Sequence, residues 1–108
     1  MSEGMNLISM RELECRSGCR DCVIIDLREP ESYAAGHVPG AVNLPFRDYD
    51  RWRRVLPRNK VIVLYCERGG AAMQAGRRLM RAGYQVEVVS GGYHPTGRSE
   101  CSRNTGNS

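Results

Sequence analysis

One stretch in the middle of the chain constrains the fold most. Residues 61–65 read Val-Ile-Val-Leu-Tyr, and such a run is typical of a strand that is buried on both faces. From Ala72 to Gly83, apolar residues recur every three or four positions, which predicts an amphipathic helix. Cys66 and a short loop with two glycines lie between the two segments. A buried strand that leads through a tight loop into a helix is typical of an α/β fold.

The rest of the chain continues this alternation of strands and helices. Further strands are predicted at residues 5–8, 23–26, 41–44 and 85–89. Further helices are predicted at residues 9–16, 30–35 and 48–56. Ser9 and Glu12 match a capping box at the start of the first helix, and Trp52, Val55 and Leu56 are expected to face the core. The alternation predicts a central, mostly parallel sheet with helices on both faces.

Length and composition favour one soluble domain. The chain has 108 residues, of which 41% are hydrophobic and 26% charged, as in ordinary globular proteins. No apolar run approaches the ~20 residues of a membrane span, and the start lacks the pattern of a signal peptide. We therefore expect a cytoplasmic protein with one domain over residues 1–96. Residues 97–108 are polar and without periodicity, which predicts a disordered tail.

Charge and cysteine content argue against nucleic-acid binding, a disulfide framework and a zinc site. The net charge of +4 favours anionic substrates or acidic partners, but no motif for nucleic-acid binding accompanies it. Five cysteines are an odd number, which argues against a complete disulfide framework. Cys15, Cys19 and Cys22 are closely spaced, but a tetrahedral zinc site needs a fourth ligand that the local sequence lacks. No metal is predicted.

Cys66 is the strongest candidate for chemistry. It follows a buried strand and precedes the predicted helix, so backbone N–H groups and the positive end of the helix dipole converge on its thiol. Such a position favours thiolate over thiol and binds anions. Asp26 and Arg28 follow the strand at residues 23–26. Because ligands bind beyond the carboxyl ends of parallel strands, we expect all three residues at one edge of the sheet.

Five segments together resemble the single-domain rhodaneses. They are Ile-Asp-Leu-Arg at 25–28, Glu-Ser-Tyr at 31–33, Gly-His-Val-Pro-Gly-Ala at 36–41, the cysteine loop, and Ser-Gly-Gly-Tyr at 90–93. Their order and spacing match over residues 5–94. The resemblance implies the rhodanese fold and a cysteine that carries sulfane sulfur as a persulfide. It also implies a donor such as thiosulfate, a thiophilic acceptor such as cyanide, a thiol or a protein, and no cofactor.

The resemblance assigns roles to particular residues. It makes Cys66 the nucleophile, and it makes Asp26 and Arg28 a pair that holds the loops around the site. The loop that would cradle the persulfide and the oxygens of the donor consists of Glu67, Arg68, Gly69, Gly70, Ala71 and Ala72. His37 matches a turn histidine with a mainly structural role in the family.

The cysteine loop departs from the pattern of thiosulfate-using relatives. Ala71 stands where many of them have arginine or threonine, Ala72 stands where they have serine, and Glu67 replaces a common basic residue. These departures make a small persulfide an alternative donor to thiosulfate and a persulfide relay to a specific protein an alternative role. Arg68 is the one cation inside the loop that could contact the donor. The basic run at residues 47–60 is interpreted as a solvated helix face that also suits an acidic sulfur acceptor.

Two other function classes compete with sulfur transfer. Phosphatases and arsenate reductases of similar fold use a Cys-x5-Arg loop, in which arginine clamps the anion through its bidentate fork. The residue six positions after Cys66 is Ala72, so this chain lacks that clamp. A non-catalytic scaffold module is the other alternative, and an unreactive Cys66 would distinguish it.

Overall fold

The computed structural model describes residues 5–93. Its strands are β1 (Met5–Ile8), β2 (Cys22–Asp26), β3 (Val42–Asn43), β4 (Val61–Tyr65) and β5 (Gln85–Val89). Its α-helices are α1 (Met10–Cys15), α2 (Pro30–Ala35), α3 (Tyr49–Trp52) and α4 (Gly70–Arg81). Two 3₁₀ turns, Phe46–Asp48 and Arg53–Val55, flank α3. The predicted tail at residues 97–108 lies outside the described residues.

The five strands of the described chain form one sheet in the order β1-β5-β4-β2-β3. Every pairing in it is parallel, which confirms the predicted parallel sheet. Asp26 lies beside Tyr65 at the ends of β2 and β4. The loops that follow these two central strands therefore leave the sheet side by side at its carboxyl edge.

Helices cover both faces of the sheet, as predicted. On one face, Trp52 and Leu56 pack with Leu79 of α4 against β2, β4 and β5. On the other face, Met10 and Leu13 of α1 belong to a second cluster with the remaining inward residues of the strands. Burial of these side chains drives the layers together, because apolar surface removed from water stabilises the fold by about 25 cal/mol per Å².

The capping box at the start of α1 is confirmed. The Ser9 Oγ accepts a hydrogen bond from the backbone N–H of Glu12 at 3.0 Å. The backbone N–H of Ser9 in turn donates to Glu12 Oε1 at 2.8 Å, and this bond holds the pKa of Glu12 below its ordinary value. Two N–H groups that a helix start leaves without partners are thus satisfied locally.

The predicted helix at residues 48–56 is wrong in its second half. Only Tyr49–Trp52 is α-helical, and Arg53–Val55 forms a tighter 3₁₀ turn. The tighter turn changes the direction in which each side chain points, so Val55 lies outside with 74% of its surface exposed. Trp52 and Leu56 are buried as expected. The strand predicted at 41–44 is shorter than expected and spans only Val42–Asn43.

Candidate active site

The Cys66 thiol lies at the start of the loop between β4 and α4. Its Sγ accepts hydrogen bonds from the backbone N–H of Gly69 at 3.0 Å and of Ala72 at 3.3 Å. Helix α4 begins at Gly70, two residues earlier than predicted, because Gly69 adopts the left-handed conformation at the N-cap with φ +94°. That conformation folds the loop back so that the N–H groups of Gly69 and Ala72 face the sulfur.

A second glycine turn supports the loop from behind. The backbone N–H of Tyr93 donates to the Cys66 carbonyl oxygen at 2.9 Å. Gly92 lies so close to the loop that a Cβ on it would come within 2.7 Å of Arg68 Cα and would also meet the Glu67 carbonyl. Only glycine fits at this position, which also has φ +87°. The turn after β5 therefore sets the position of the cysteine loop.

Asp26 and Arg28 form a buried ion pair at the same edge of the sheet. The Arg28 Nη2 lies 2.8 Å from Asp26 Oδ2, and the Nε lies 3.0 Å from Oδ1. The backbone N–H of Arg28 also donates to Asp26 Oδ1 at 2.9 Å. The hydrogen bonds to Asp26 raise the pKa of the Arg28 guanidinium. The pair is thus fixed by the charge-assisted, fork-like geometry that arginine provides.

Arg28 connects this pair to three other segments. Its Nη2 donates to the Gly36 carbonyl at 2.7 Å, and its guanidinium carbon lies 4.1 Å from the centre of the Tyr93 ring. The ring of Tyr65 lies on the same guanidinium at 5.7 Å, and burial raises the pKa of its phenol well above the ordinary value. Arg28 therefore joins the loops after β2, α2 and β5, as a residue that holds the site together would.

A pocket of about 580 Å³ opens in front of the cysteine. The predicted residues Cys66, Glu67, Arg68, Gly70, Ala71 and Arg28 line it. Gly69 and Ala72 are buried behind the loop and contribute their N–H groups to the sulfur. Asp26 is completely buried and lies outside the lining. The structure thus brings all the predicted site residues together, but it separates those that face the pocket from those that support it.

Sequence reasoning missed one wall of the pocket. Phe46 and Arg47, which follow β3, line the pocket together with Leu27, Glu29 and Ser32. The backbone N–H of Phe46 donates to the Leu27 carbonyl at 3.1 Å, so this segment is tied to the loop after β2. The rule that ligands bind beyond the carboxyl ends of parallel strands would have indicated the segment after β3 as well.

His37 lies away from the pocket. Its ring stacks on Tyr33 with 3.6 Å between ring centres, and its Nδ1 lies 2.7 Å from the Tyr33 carbonyl oxygen. It is not among the residues that line the pocket. In this position its contacts order the turn after α2.

Comparison with known proteins identifies the family. The family model for the rhodanese-like domain matches residues 9–95, which is most of the chain. The chain belongs to the rhodanese-like family. This agrees with the resemblance that the sequence segments indicated and with the parallel sheet.

Three relatives illustrate the match. The domain is 38% identical over 72 residues to a tRNA sulfurtransferase of Desulfurococcus amylolyticus. It is 32% identical over 79 residues to the putative sulfur carrier protein YrkF of Bacillus subtilis. These alignments cover 67% and 71% of this chain but only 14% and 43% of the relatives. A crystal structure of a rhodanese-like domain protein from Staphylococcus aureus superposes with a TM-score of 0.74 at 23% identity, covering 86% of this chain and 95% of that one.

Among residues 5–93, no group of three or more histidine, cysteine or acidic side chains is arranged to hold a metal ion. Within the same range, no helix has both the length and the apolar character that crossing a bilayer requires. The cysteine loop and its pocket form the candidate active site.

Proposed function

We propose that this rhodanese-like domain is a sulfurtransferase that carries sulfane sulfur as a persulfide on Cys66. The observation that supports this most is the pair of N–H donors, Gly69 and Ala72, aimed at Sγ on the floor of an open pocket. Preorganised N–H groups stabilise negative charge on sulfur without having to reorient when that charge forms. A thiolate held in this way is the nucleophile that sulfur transfer needs.

The reaction has two displacement steps. The Cys66 thiolate attacks the outer sulfur of thiosulfate, the S–S bond of the donor breaks, and sulfite leaves with the bonding electron pair. A persulfide anion remains on Cys66, where the first N–H groups of α4 that lack a carbonyl partner can bind it. A cyanide ion or a thiolate then attacks the terminal sulfur, and the Cys66 thiolate is restored. No proton transfer by a separate base is required in either step.

The pocket wall bears on the choice of donor. Ala71 and Ala72 offer no side-chain hydrogen bond to the oxygens of thiosulfate. The positive charges that line the pocket are those of Arg28, Arg47 and Arg68. Arg28 is paired with Asp26, and Arg47 is paired with Glu29. Arg68 is the exposed cation of the cysteine loop. We therefore expect a low-molecular-weight persulfide to load Cys66 more readily than thiosulfate does.

The relatives support the same reaction class. One is named a tRNA sulfurtransferase and another a putative sulfur carrier protein, and both names describe the movement of sulfur. The chain spans only a part of each.

The test is a loading experiment. Wild-type protein, Cys66→Ser and Cys22→Ser are incubated separately with thiosulfate, cysteine persulfide and inorganic polysulfide, and intact masses are measured. We expect the wild type and Cys22→Ser to gain the mass of one sulfur atom, which cyanide removes as thiocyanate. Cys66→Ser should gain none. Failure of all three donors to load the wild type would overturn the proposal and favour a scaffold role.

Two further measurements sharpen the result. Arg68→Ala should raise the KM for thiosulfate several-fold while the midpoint of urea unfolding stays the same, because Arg68 is exposed and surface substitutions change stability by about 0.5 kcal/mol or less. Turnover of p-nitrophenyl phosphate that depends on Cys66 would instead identify a phosphatase.

A further inference from the structure

The charges of this domain are unevenly divided along the chain. Residues 47–81 contain ten lysines and arginines and three acidic residues, a net charge of +7. The rest of the described chain, residues 5–46 and 82–93, contains four basic and seven acidic residues, a net charge of −3. An overall charge of +4 therefore conceals two oppositely charged parts.

The fold places most of the positive part on one side of the molecule. Helix α3, the 3₁₀ turn after it and α4 pack on the same face of the sheet. Six exposed arginines on these elements and the turn that follows define what we term the arginine face: Arg51, Arg54, Arg58, Arg77, Arg78 and Arg81. Arg51, Arg54, Arg77 and Arg81 make no ion pair with any residue in the range 5–93. Their charges are available to a partner.

A second pocket lies between α3 with its following turn and the end of α4. It has a volume of about 370 Å³, and Arg53, Arg54 and Arg58 line it together with Tyr49 and Tyr84. Arg58 is held in place, because its Nη1 donates to the Ala82 carbonyl at 2.7 Å and its guanidinium lies 4.3 Å from the Tyr84 ring centre. A cluster of guanidinium groups around a cavity of this size suits carboxylate side chains, which arginine binds through paired hydrogen bonds.

The face has the features of a protein-binding surface more than of a nucleic-acid surface. Val55 is 74% exposed next to Arg54, and apolar centres with arginine around them are typical of protein interfaces. Single-stranded nucleic acid is bound by stacking on exposed aromatic rings. The rings of this layer, Tyr49 and Trp52, are only 7% and 6% exposed.

We propose that the arginine face docks a protein with a carboxylate-rich surface, and that this protein is the acceptor of the Cys66 sulfur. The inference rests on the sulfurtransferase function proposed above. The face adjoins the Cys66 pocket, because Arg78 lies over both Tyr49 and Phe46 and Phe46 lines that pocket. A thiolate of the docked protein attacks the terminal sulfur of the Cys66 persulfide, the S–S bond to Cys66 breaks, and the acceptor leaves as a persulfide with the Cys66 thiolate restored.

Binding is tested first, without catalysis. The probe is a fluorescent glutamate-rich peptide that ends in cysteine, and its control is the same peptide with glutamine in place of glutamate. Arg54→Glu/Arg81→Glu reverses two charges on the arginine face, and Arg11→Glu/Arg20→Glu makes the same change in net charge outside it. With Cys66→Ser in every protein, we expect the first pair to weaken binding of the glutamate peptide about tenfold at low salt. The second pair should leave that binding nearly unchanged.

Sulfur transfer is then measured with Cys66 intact. The Arg54→Glu/Arg81→Glu protein should transfer sulfur to cyanide at the wild-type rate but to the glutamate peptide about tenfold more slowly. Equal binding of the two peptides would overturn the docking proposal, as would a transfer RNA that binds the face while neither peptide does. If Cys66 takes up no sulfur but the binding preference persists, the docking surface stands and the sulfurtransferase proposal fails.

Discussion

Two cysteines at opposite edges of the sheet lie in different surroundings. Cys66 follows β4 at the carboxyl edge, whereas Cys22 begins β2 at the amino edge, beside Val61. At about 3.3 Å per strand residue, the two positions are roughly 16 Å apart. Cys66 receives two backbone N–H groups. At Cys22, burial and the neighbouring Cys19 raise the thiol pKa to about 12.

The ion pair near Cys66 is also more deeply buried than the ion pair near Cys22. At the carboxyl edge, the side chains of Arg28 and Asp26 are 6% and 0% exposed. Near Cys22, Arg16 and Glu87 also form a two-bonded pair, but their side chains are 28% and 15% exposed. The more deeply buried pair and the N–H donors to Cys66 thus lie together at the carboxyl edge. At this edge helices begin, and their first N–H groups lack carbonyl partners.

The largest expected effect is a difference in stability loss when each of the two ion pairs is broken. Asp26→Asn removes one partner of a buried pair and leaves the Arg28 charge uncompensated, so we expect a loss of about 3–5 kcal/mol in the free energy of unfolding. Glu87→Gln should cost about 1 kcal/mol or less, because water can solvate Arg16. Urea unfolding at neutral pH measures both. Similar losses for the two variants would contradict the contrast between the edges.

Next in size is the effect of the glycine turn on the cysteine loop. A Cβ in Gly92→Ala would collide with the Glu67–Arg68 peptide and displace the N–H groups that face Sγ. Because a misplacement of about 1 Å can cost about a hundredfold in rate, we expect loading of Cys66 by cysteine persulfide to slow by about that factor.

Gly91→Ala is the matched control for that experiment. Gly91 also has a positive φ, +86°, but a Cβ there would meet nothing within 4 Å. Both variants share the cost of placing alanine in a left-handed conformation, and only Gly92→Ala adds the collision. A loading rate that falls equally in both would show that backbone strain, and not contact with the loop, controls the site.

The smallest expected effect concerns Cys22. Its folded pKa of about 12 exceeds the ordinary 9.0, so the folded state retains the proton that the unfolded state loses. The contribution of the protonated Cys22 thiol to the free energy of unfolding is fully present below about pH 9. It is lost as the pH rises toward 12. Alkylation of Cys22 by iodoacetamide at pH 9 should be at least about tenfold slower in native protein than in urea. Equal rates would contradict the burial of this thiol.

Several parts of the fold were predictable because their causes are local. The bounds of β1, β4 and β5 agree with the sequence predictions, since apolar runs between turn residues mark buried strands. The capping box at Ser9 was predictable for the same reason, because its two partners are three residues apart. The placement of Cys66 at a strand-to-helix junction also follows from neighbouring residues.

The errors lie where distant residues decide the local structure. The 3₁₀ turn at 53–55 follows a helical pattern in the sequence, but the Tyr84 hydroxyl lies 3.1 Å from the Leu56 carbonyl, 28 residues away. That contact belongs to the packing of β5 and α4 against this segment. No periodicity within residues 48–56 carries information about that contact, so the sequence pattern places Val55 on the wrong side.

By itself, the sequence determined the order of strands and helices and the position of one cysteine between β4 and α4. It also determined which residues could form an ion pair after β2. Only the tertiary structure decided that Gly92 lies against the Glu67–Arg68 peptide and that Arg28 joins three loops. It also decided that the arginines gather on one layer. The physical reason is that backbone pattern acts over a few residues, whereas these contacts arise when a parallel sheet brings strand ends from distant parts of the chain to one edge.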